Sequence, residues 1–186
     1  MQLYIKNMVC NRCILVVRQE LDKLNIQYKD VALGEAEVDD TTSKEQIQQF
    51  SSHLNVLGFE LLDDSKQQLI EKIKNTIITY VHHKQDDNLH NFSAILSEKL
   101  HKDYSYLSNL FSEVEGITIE KYIINQKIEK VKELIIYDQL NLSEIAYTMG
   151  YSSIAHLSTQ FKKITGLTPS HFKKVGQNKR KPLDEI

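Results

Sequence analysis

"LSNLFSEVEGIT", residues 107–118, and "LSTQFKKITGLT", residues 157–168, are two versions of one phrase set 50 residues apart. Leu107-Ser108, Phe111, Gly116 and Thr118 recur as Leu157-Ser158, Phe161, Gly166 and Thr168. Val114/Ile164, Ile117/Leu167 and Tyr122/Phe172 are conservative pairs at the same offset, and upstream Ser93 and Ile95 recur as Ser143 and Ile145. A constant offset held over so many positions reads as a duplicated structural unit. Each copy reads as a helix, a tight turn and a second helix. In the later copy Ser143 opens a helix whose Ile145, Ala146 and Met149 form the inner face, and Gly150 supplies the turn. Ser152 is positioned to cap the next helix, with Leu157, Phe161 and Ile164 pointing inward. Ile154, Ala155, Ser158, Thr159 and Lys162 fall on the opposite side, at i, i+1, i+4, i+5 and i+8. Gly166 then ends that helix, and Thr168 with Pro169 starts another as cap and first helical residue. One copy alone would read equally well as a plain helical hairpin. Two copies with small, polar, outward second helices beside a basic run point to helix-turn-helix readers of double-stranded DNA.

The stretch joining the copies fits that purpose. Residues 118–137 contain no Gly or Pro and carry Tyr122, Ile123, Ile128, Val131, Leu134 and Ile135 at helical spacing. A helix of that length spans roughly 30 Å. The spacing between successive major-groove faces on one side of a duplex is about 34 Å.

Charge is distributed unevenly. Residues 1–87 carry 10 Lys/Arg against 14 Asp/Glu, and residues 88–186 carry 13 against 11, so a net charge of −2 conceals halves of −4 and +2. From Gln160 to Leu183 run Lys162, Lys163, Lys173, Lys174, Lys179, Arg180 and Lys181 with no acid among them. Such a run reads as a solvated tail or as the place where a polyanion is held.

The N-terminal part has a different rhythm. Leu3–Lys6 reads as a strand entering the loop "NMVCNRC", and Ile14, Val17, Leu21 and Leu24 line one helical face. "YKDVALGEAEVDD" reads as strand, turn at Gly34, strand. Ser43 caps a helix with Ile47, Phe50, Leu54 and Leu57 on one side, Gly58 stops it, and "FELL" returns as a short strand. The order βαββαβ suggests a ferredoxin-like sandwich. A further helix from Ser65 to about Lys84 carries Leu69, Ile73, Ile77 and Tyr80/Val81 on one face, a stripe for intramolecular packing or, at near-heptad spacing, for a dimer seam. Monomer and homodimer both stay open. The polar run from His82 to Asn91 suggests a boundary. The expected fold class is α+β, divided into a sensor-like domain at 1–63, a connecting helix and linker at 64–87, an all-α DNA-binding domain at 88–176, and a basic tail at 177–186.

From about Asn91 to Lys174 the chain resembles the AraC/XylS family of bacterial transcription regulators, over the full length of its double helix-turn-helix domain. "LSEIAYTMGYSSIAHLSTQFKKITGLTPSHFKK" carries the resemblance, and "YSYLSNLFSEVEGITIEKYIINQKIEKVKELI" carries it more weakly. The resemblance implies that the second helix of each motif enters a major groove. The base-facing positions it implies are Ser105, Ser108 and Asn109 in the first copy, and Ile154, Ala155, Ser158 and Thr159 in the second, with Ser153 beside them as a further DNA-binding residue. Phosphate contacts are expected from Lys162, Lys163 and Lys127, with RNA polymerase a further expected partner. Two departures stand out: the first turn, "LHKDYS", lacks the usual glycine, and neither outward face offers Arg or Gln for bidentate base contacts.

Residues 1–63 resemble a heavy-metal-associated (HMA) domain, whose M-x-C-x-x-C loop matches Met8-Val9-Cys10-Asn11-Arg12-Cys13. The resemblance implies Cys10 and Cys13 as metal ligands. Two soft thiolates suit Cu(I), or Zn(II) and heavier thiophilic ions if further ligands are recruited. The helix N-terminus and Arg12 are expected to depress the thiol pKa. A closed zinc site needs four ligands and the chain has two cysteines. His82-His83 reads as a source of further ligands or as exposed linker. Three roles stay open for the pair: thiophile sensing, inert structure and redox sensing. Two function classes follow, a sequence-specific regulator controlled through the CxxC loop, or a DNA binder, including an architectural one, whose N-terminal domain serves only structure or dimerisation. Nucleophile motifs, phosphate loops and paired carboxylates are absent, so no enzyme is expected. Apolar runs fall far short of the ~20 residues of a membrane span, and the first residues lack the basic-then-apolar order of a secretory leader. A reducing cytoplasm is the expected setting.

Overall fold

The computed structural model describes residues 1–62, 65–83, 91–175 and Leu183. The chain divides into two compact units, Met1–Asn75 and Thr76–Ile186.

The first unit runs β1 (Gln2–Lys6), α1 (Asn11–Lys23), β2 (Tyr28–Ala32), β3 (Glu35–Val38), α2 (Lys44–Val56) and β4 (Glu60–Leu61). Its sheet has the order β2-β3-β1-β4 with every neighbouring pair antiparallel. Alternation decides which sheet face is buried: Leu3, Ile5, Val31, Ala36 and Val38 join Val17 and Leu21 of α1 and Phe50 and Leu54 of α2 in one core. Gly34 turns β2 into β3 at φ +81°, and a side chain there would collide with the Asn75 amide. Ser43 caps α2 as expected, in a capping box with Gln46.

A helix α3 (Ser65–Ile78) follows, and its last turn, Thr79–His83, is π-type. Ile70, Ile73, Ile77, Ile78 and Val81 are buried within the single chain. The unit boundary at Asn75/Thr76 therefore falls inside this helix, upstream of the polar run that suggested it. Composition drew attention to the run, whereas residues up to Val81 pack as core.

The second unit is helical: α4 (Phe92–Leu100), α5 (Tyr104–Glu115), α6 (Ile119–Tyr137), α7 (Leu142–Thr148), α8 (Ile154–Thr165) and α9 (Pro169–Val175). Its core gathers Leu96, Leu107, Phe111, Ile119, Ile128, Val131, Ile145, Leu157, Phe161 and Phe172. Among the described residues no helix is long and apolar enough to cross a membrane.

Candidate nucleic-acid interface

The two copies of the repeated phrase fold as equivalent frames. Helices α5 and α8 have 12 residues each and start and stop at the same offset. Leu107 and Phe111 are fully buried on one, Leu157 and Phe161 on the other. Phe111 meets Tyr122 edge-on at 5.5 Å between ring centroids, and Phe161 meets Phe172 edge-on at 5.4 Å. Gly116 and Gly166 close the helices in left-handed backbone, at φ +69° and +77°. Thr118 Oγ1 then accepts from Lys121 N–H to start α6, and Thr168 Oγ1 accepts from His171 N–H to start α9.

With one side of each helix committed to the core, the other faces water. Ser105 and Asn109 on α5 are exposed and Ser108 is half-buried. On the second motif Ser153, Ile154, Ala155, Thr159, Lys162 and Lys163 are exposed and Ser158 is half-buried. Thr159 Oγ1 donates to the Ala155 carbonyl at 2.8 Å, so a base contact would use the oxygen's remaining acceptor capacity or break that bond. The central α6 has 19 residues, and 1.5 Å per residue gives it about 28 Å.

The turns differ between copies. Three residues separate α4 from α5, and His101 takes the left-handed conformation at φ +51° that a glycine usually fills. The Lys102 N–H reaches back to the Ser97 carbonyl to close that end. Five residues separate α7 from α8, and Gly150 takes the left-handed position at φ +71°. The cap of α8 is Ser153, whose Oγ accepts from His156 N–H, and not Ser152, whose hydroxyl sits 3.1 Å from His156 Nδ1. The 50-residue offset carried the information, since Ser153 lies opposite Asp103, the cap of α5.

The family description "Helix-turn-helix domain" matches residues 96–174. The Msm operon regulatory protein of Streptococcus mutans is 30% identical over 83 residues, 45% of this chain and 30% of that protein. YfiF, an uncharacterized HTH-type transcriptional regulator of Bacillus subtilis, is 27% identical over 159 residues, 74% of this chain and 50% of that protein. Residues 96–174 are a helix-turn-helix domain similar to those of bacterial transcription regulators. The C-terminal domain of AraT, a response regulator of Geobacillus stearothermophilus, shares its fold with a TM-score of 0.51 and 24% identity, over 60% of this chain and 88% of that one. The chain spans half or less of the length of the curated relatives it matches. Those relatives are named as a regulatory protein and a transcriptional regulator.

Within the helix-turn-helix domain Lys127 differs from the exposed Lys162 and Lys163. It is half-buried, its ammonium donates to the Met149 carbonyl at 3.1 Å and lies 5.9 Å from the centre of the Tyr151 ring, and burial lowers its pKa. It ties α6 to the second turn. His82 is half-buried rather than an exposed linker residue: its Nε2 lies 2.9 Å from Gln126 Oε1, and burial pushes its pKa down to about 4. Lys179, Arg180 and Lys181 of the basic run lie outside the described residues.

The cysteine loop belongs to the first unit. Cys10 is the N-cap residue of α1 without a capping side-chain bond, Cys13 is in its first turn, and the two Sγ atoms are 3.6 Å apart. Burial raises the Cys10 thiol, but hydrogen bonds from Cys13 and Arg12 and the Arg12 charge outweigh it and leave the pKa lowered. Cys13 goes the other way, raised by burial against the core, so the depression expected for the pair is found at one thiol only. Met8 is fully buried in that core, which makes it packing rather than a ligand. Among the described residues no group of three or more His, Cys, Asp or Glu is placed to hold a metal. Two adjacent thiols fit a soft ion of low coordination number and do not fit a closed four-ligand zinc site.

Proposed function

We propose that this chain is a sequence-specific DNA-binding regulator of transcription, controlled by a soft metal ion or other thiophile at Cys10 and Cys13. The observation that carries the DNA half is the pair of equal frames, α5 and α8, each with a buried aromatic on one side and an exposed small, polar face on the other. A protein bound this way loses affinity steeply with salt and prefers one site over bulk DNA. The test is selection of duplexes from a random library by the full chain, followed by titration of the selected site across salt. Binding that is weak, salt-insensitive or uniform across sequences rejects it.

The control half reads the first unit as a ferredoxin-like, HMA-like module, supported by the antiparallel order β2-β3-β1-β4 with α1 and α2 packed on one core. The lowered Cys10 thiol and the 3.6 Å sulfur separation support a clamp for Cu(I) or a similar ion. Reduced protein is expected to take one Cu(I) per chain, and Cys10→Ser with Cys13→Ser to abolish this. A sensor must also bind the ion differently in its two DNA-binding states, so operator affinity should change about 5- to 150-fold on metal addition. A second reading, in which the module is purely structural, is favoured by Cys13 packing against the core. Equal operator affinity with and without metal would select it.

A further inference from the structure

Frames as alike as the two copies make a difference in their charge stand out. From cap to last residue, Asp103–Glu115 carries three acids, Asp103, Glu113 and Glu115, and no Lys or Arg. The matching stretch Ser153–Thr165 carries two lysines, Lys162 and Lys163, and no acid. The exchange is position for position: Ser112 stands where Lys162 does, and exposed Glu113 where exposed Lys163 does. The caps follow the same rule. Asp103 Oδ1 accepts from the Ser105 and Tyr106 amides, whereas neutral Ser153 Oγ accepts only from His156. An anion approaching the start of α5 meets a carboxylate already holding those amides, and one approaching α8 meets a hydroxyl.

We infer that the two motifs divide the work of binding: α8 anchors the chain to phosphates, and α5 is a discriminating reader that repels DNA unless its groove contacts are satisfied. This deepens the DNA-binding reading above and rests on it. Core packing at the two matched anchors gives no reason for the difference, because Leu107 and Phe111 are repeated as Leu157 and Phe161; buried Leu110 opposite half-buried Gln160 is the one exception among the buried positions. Electrostatics gives one. Lys162 and Lys163 release counterions from any duplex, whereas Glu113 at the matching place costs affinity chiefly where α5 finds no fitting contacts and is left against the phosphates. Only contacts from Ser105, Ser108 and Asn109 to a fitting sequence can offset that cost, so repulsion at α5 raises the ratio of right to wrong sites while lowering total affinity. The absence of Arg and Gln from the reading face of α5 then acquires a purpose, since weak direct contacts discriminate best where the background is repulsive.

The test uses the full chain and two fluorescein-labelled duplexes of about three helical turns, one of mixed sequence and one selected by the wild type from a random library. Anisotropy titrations across salt give affinity and slope for each. Lys162→Ala with Lys163→Ala should weaken both duplexes and flatten the slope by about 2. Glu113→Gln should tighten mixed-sequence binding about two- to fivefold while the selected site gains less. Ser112→Lys with Glu113→Lys should tighten mixed-sequence binding further, steepen the slope by about 1 to 2, and narrow the preference for the selected site. If the Glu113 variants leave mixed-sequence binding unchanged or weaken it, or if the slope ignores Lys162 and Lys163, the division of labour is overturned. If the wild type binds neither duplex in a salt-sensitive way, the DNA-binding reading itself falls, and this inference with it.

Discussion

The first and second motifs agree where they face inward and disagree where the chain turns. Phe111 on Tyr122 and Phe161 on Phe172 are the same aromatic contact made twice, 5.5 and 5.4 Å between centroids. The turns before α5 and α8 differ in length, in the residue that adopts left-handed backbone, and in the capping group. The core contact fixes where each second helix lies, and the turn has only to span the gap. Duplicated frames therefore tolerate turn divergence that a shared core position would not survive.

The comparison breaks most visibly if the aromatic contacts are not equal. Phe111→Ala and Phe161→Ala each remove a fully buried ring and should cost about 3–5 kcal/mol in urea unfolding of the full chain. Costs differing by more than about 2 kcal/mol would mean the packing is not duplicated in energy as it is in geometry.

Turn substitutions should differ in sign. Gly150→Ala places a Cβ on backbone at φ +71° and should destabilise by about 1–2 kcal/mol. His101→Gly relieves the same strain at φ +51°, partly offset by the entropy of the unfolded chain, and should be neutral or stabilising by up to about 1 kcal/mol. Destabilisation in both would show that His101 holds its turn by contacts beyond its backbone conformation.

The caps come next. Asp103→Ala and Ser153→Ala should each cost about 0.5–2 kcal/mol, with the loss at Asp103 at the larger end because two amides lose their acceptor.

The smallest effect belongs to a bond that the first copy makes and the second cannot. Tyr104 Oη donates to Glu120 Oε1 at 2.5 Å, and the equivalent positions hold Ile154 and Ser170. That bond holds the Glu120 carboxyl below its ordinary pKa. The stability it gives is therefore present above the ordinary carboxylate range and lost as pH falls through the depressed value. Solvent screening on this exposed pair keeps it below about 0.5 kcal/mol. Tyr104→Phe should remove that increment of acid sensitivity in pH-dependent unfolding, and an unchanged profile would mean the bond is energetically silent.

Much of this was legible in the sequence because repetition cancels noise. One helical hairpin is ambiguous, but a phrase occurring twice at a constant offset exposes which positions are inner and which are outer. The strands of the first unit were legible for another reason: Leu3, Ile5, Ala36 and Val38 alternate cleanly, and Gly34 and Ser43 are turn and cap residues with physical grounds for their places. What stayed hidden depends on partners distant in the chain. No local pattern says that His101 will adopt positive φ, that Lys127 will be drawn to the Met149 carbonyl, or that His82 will bond Gln126, 44 residues away. The cysteines fall between these cases. Spacing puts both at one helix start, whereas the lowering of one thiol and the raising of the other depend on how far each is buried in the folded loop.

Helix α3 carries the division between the two units within its length, with Asn75 ending one and Thr76 beginning the other. Before the division, Lys72 donates to Tyr4 Oη at 3.1 Å and Gln68 to the Leu62 carbonyl at 3.0 Å. Beyond it, Ile77, Ile78 and Val81 are buried and His82 bonds Gln126. A cut at the polar run downstream of Val81 then takes a segment of core from the second unit. A fragment beginning at residue 88 lacks the opening segment of the second unit, so loss of DNA binding by that fragment would report truncation rather than the absence of a reader. A fragment beginning at Ser65 retains it. The shared helix also predicts how the chain melts. Fraying of α3 removes contacts from both units at once, so heating should give one cooperative transition where an ordinary linker would allow two.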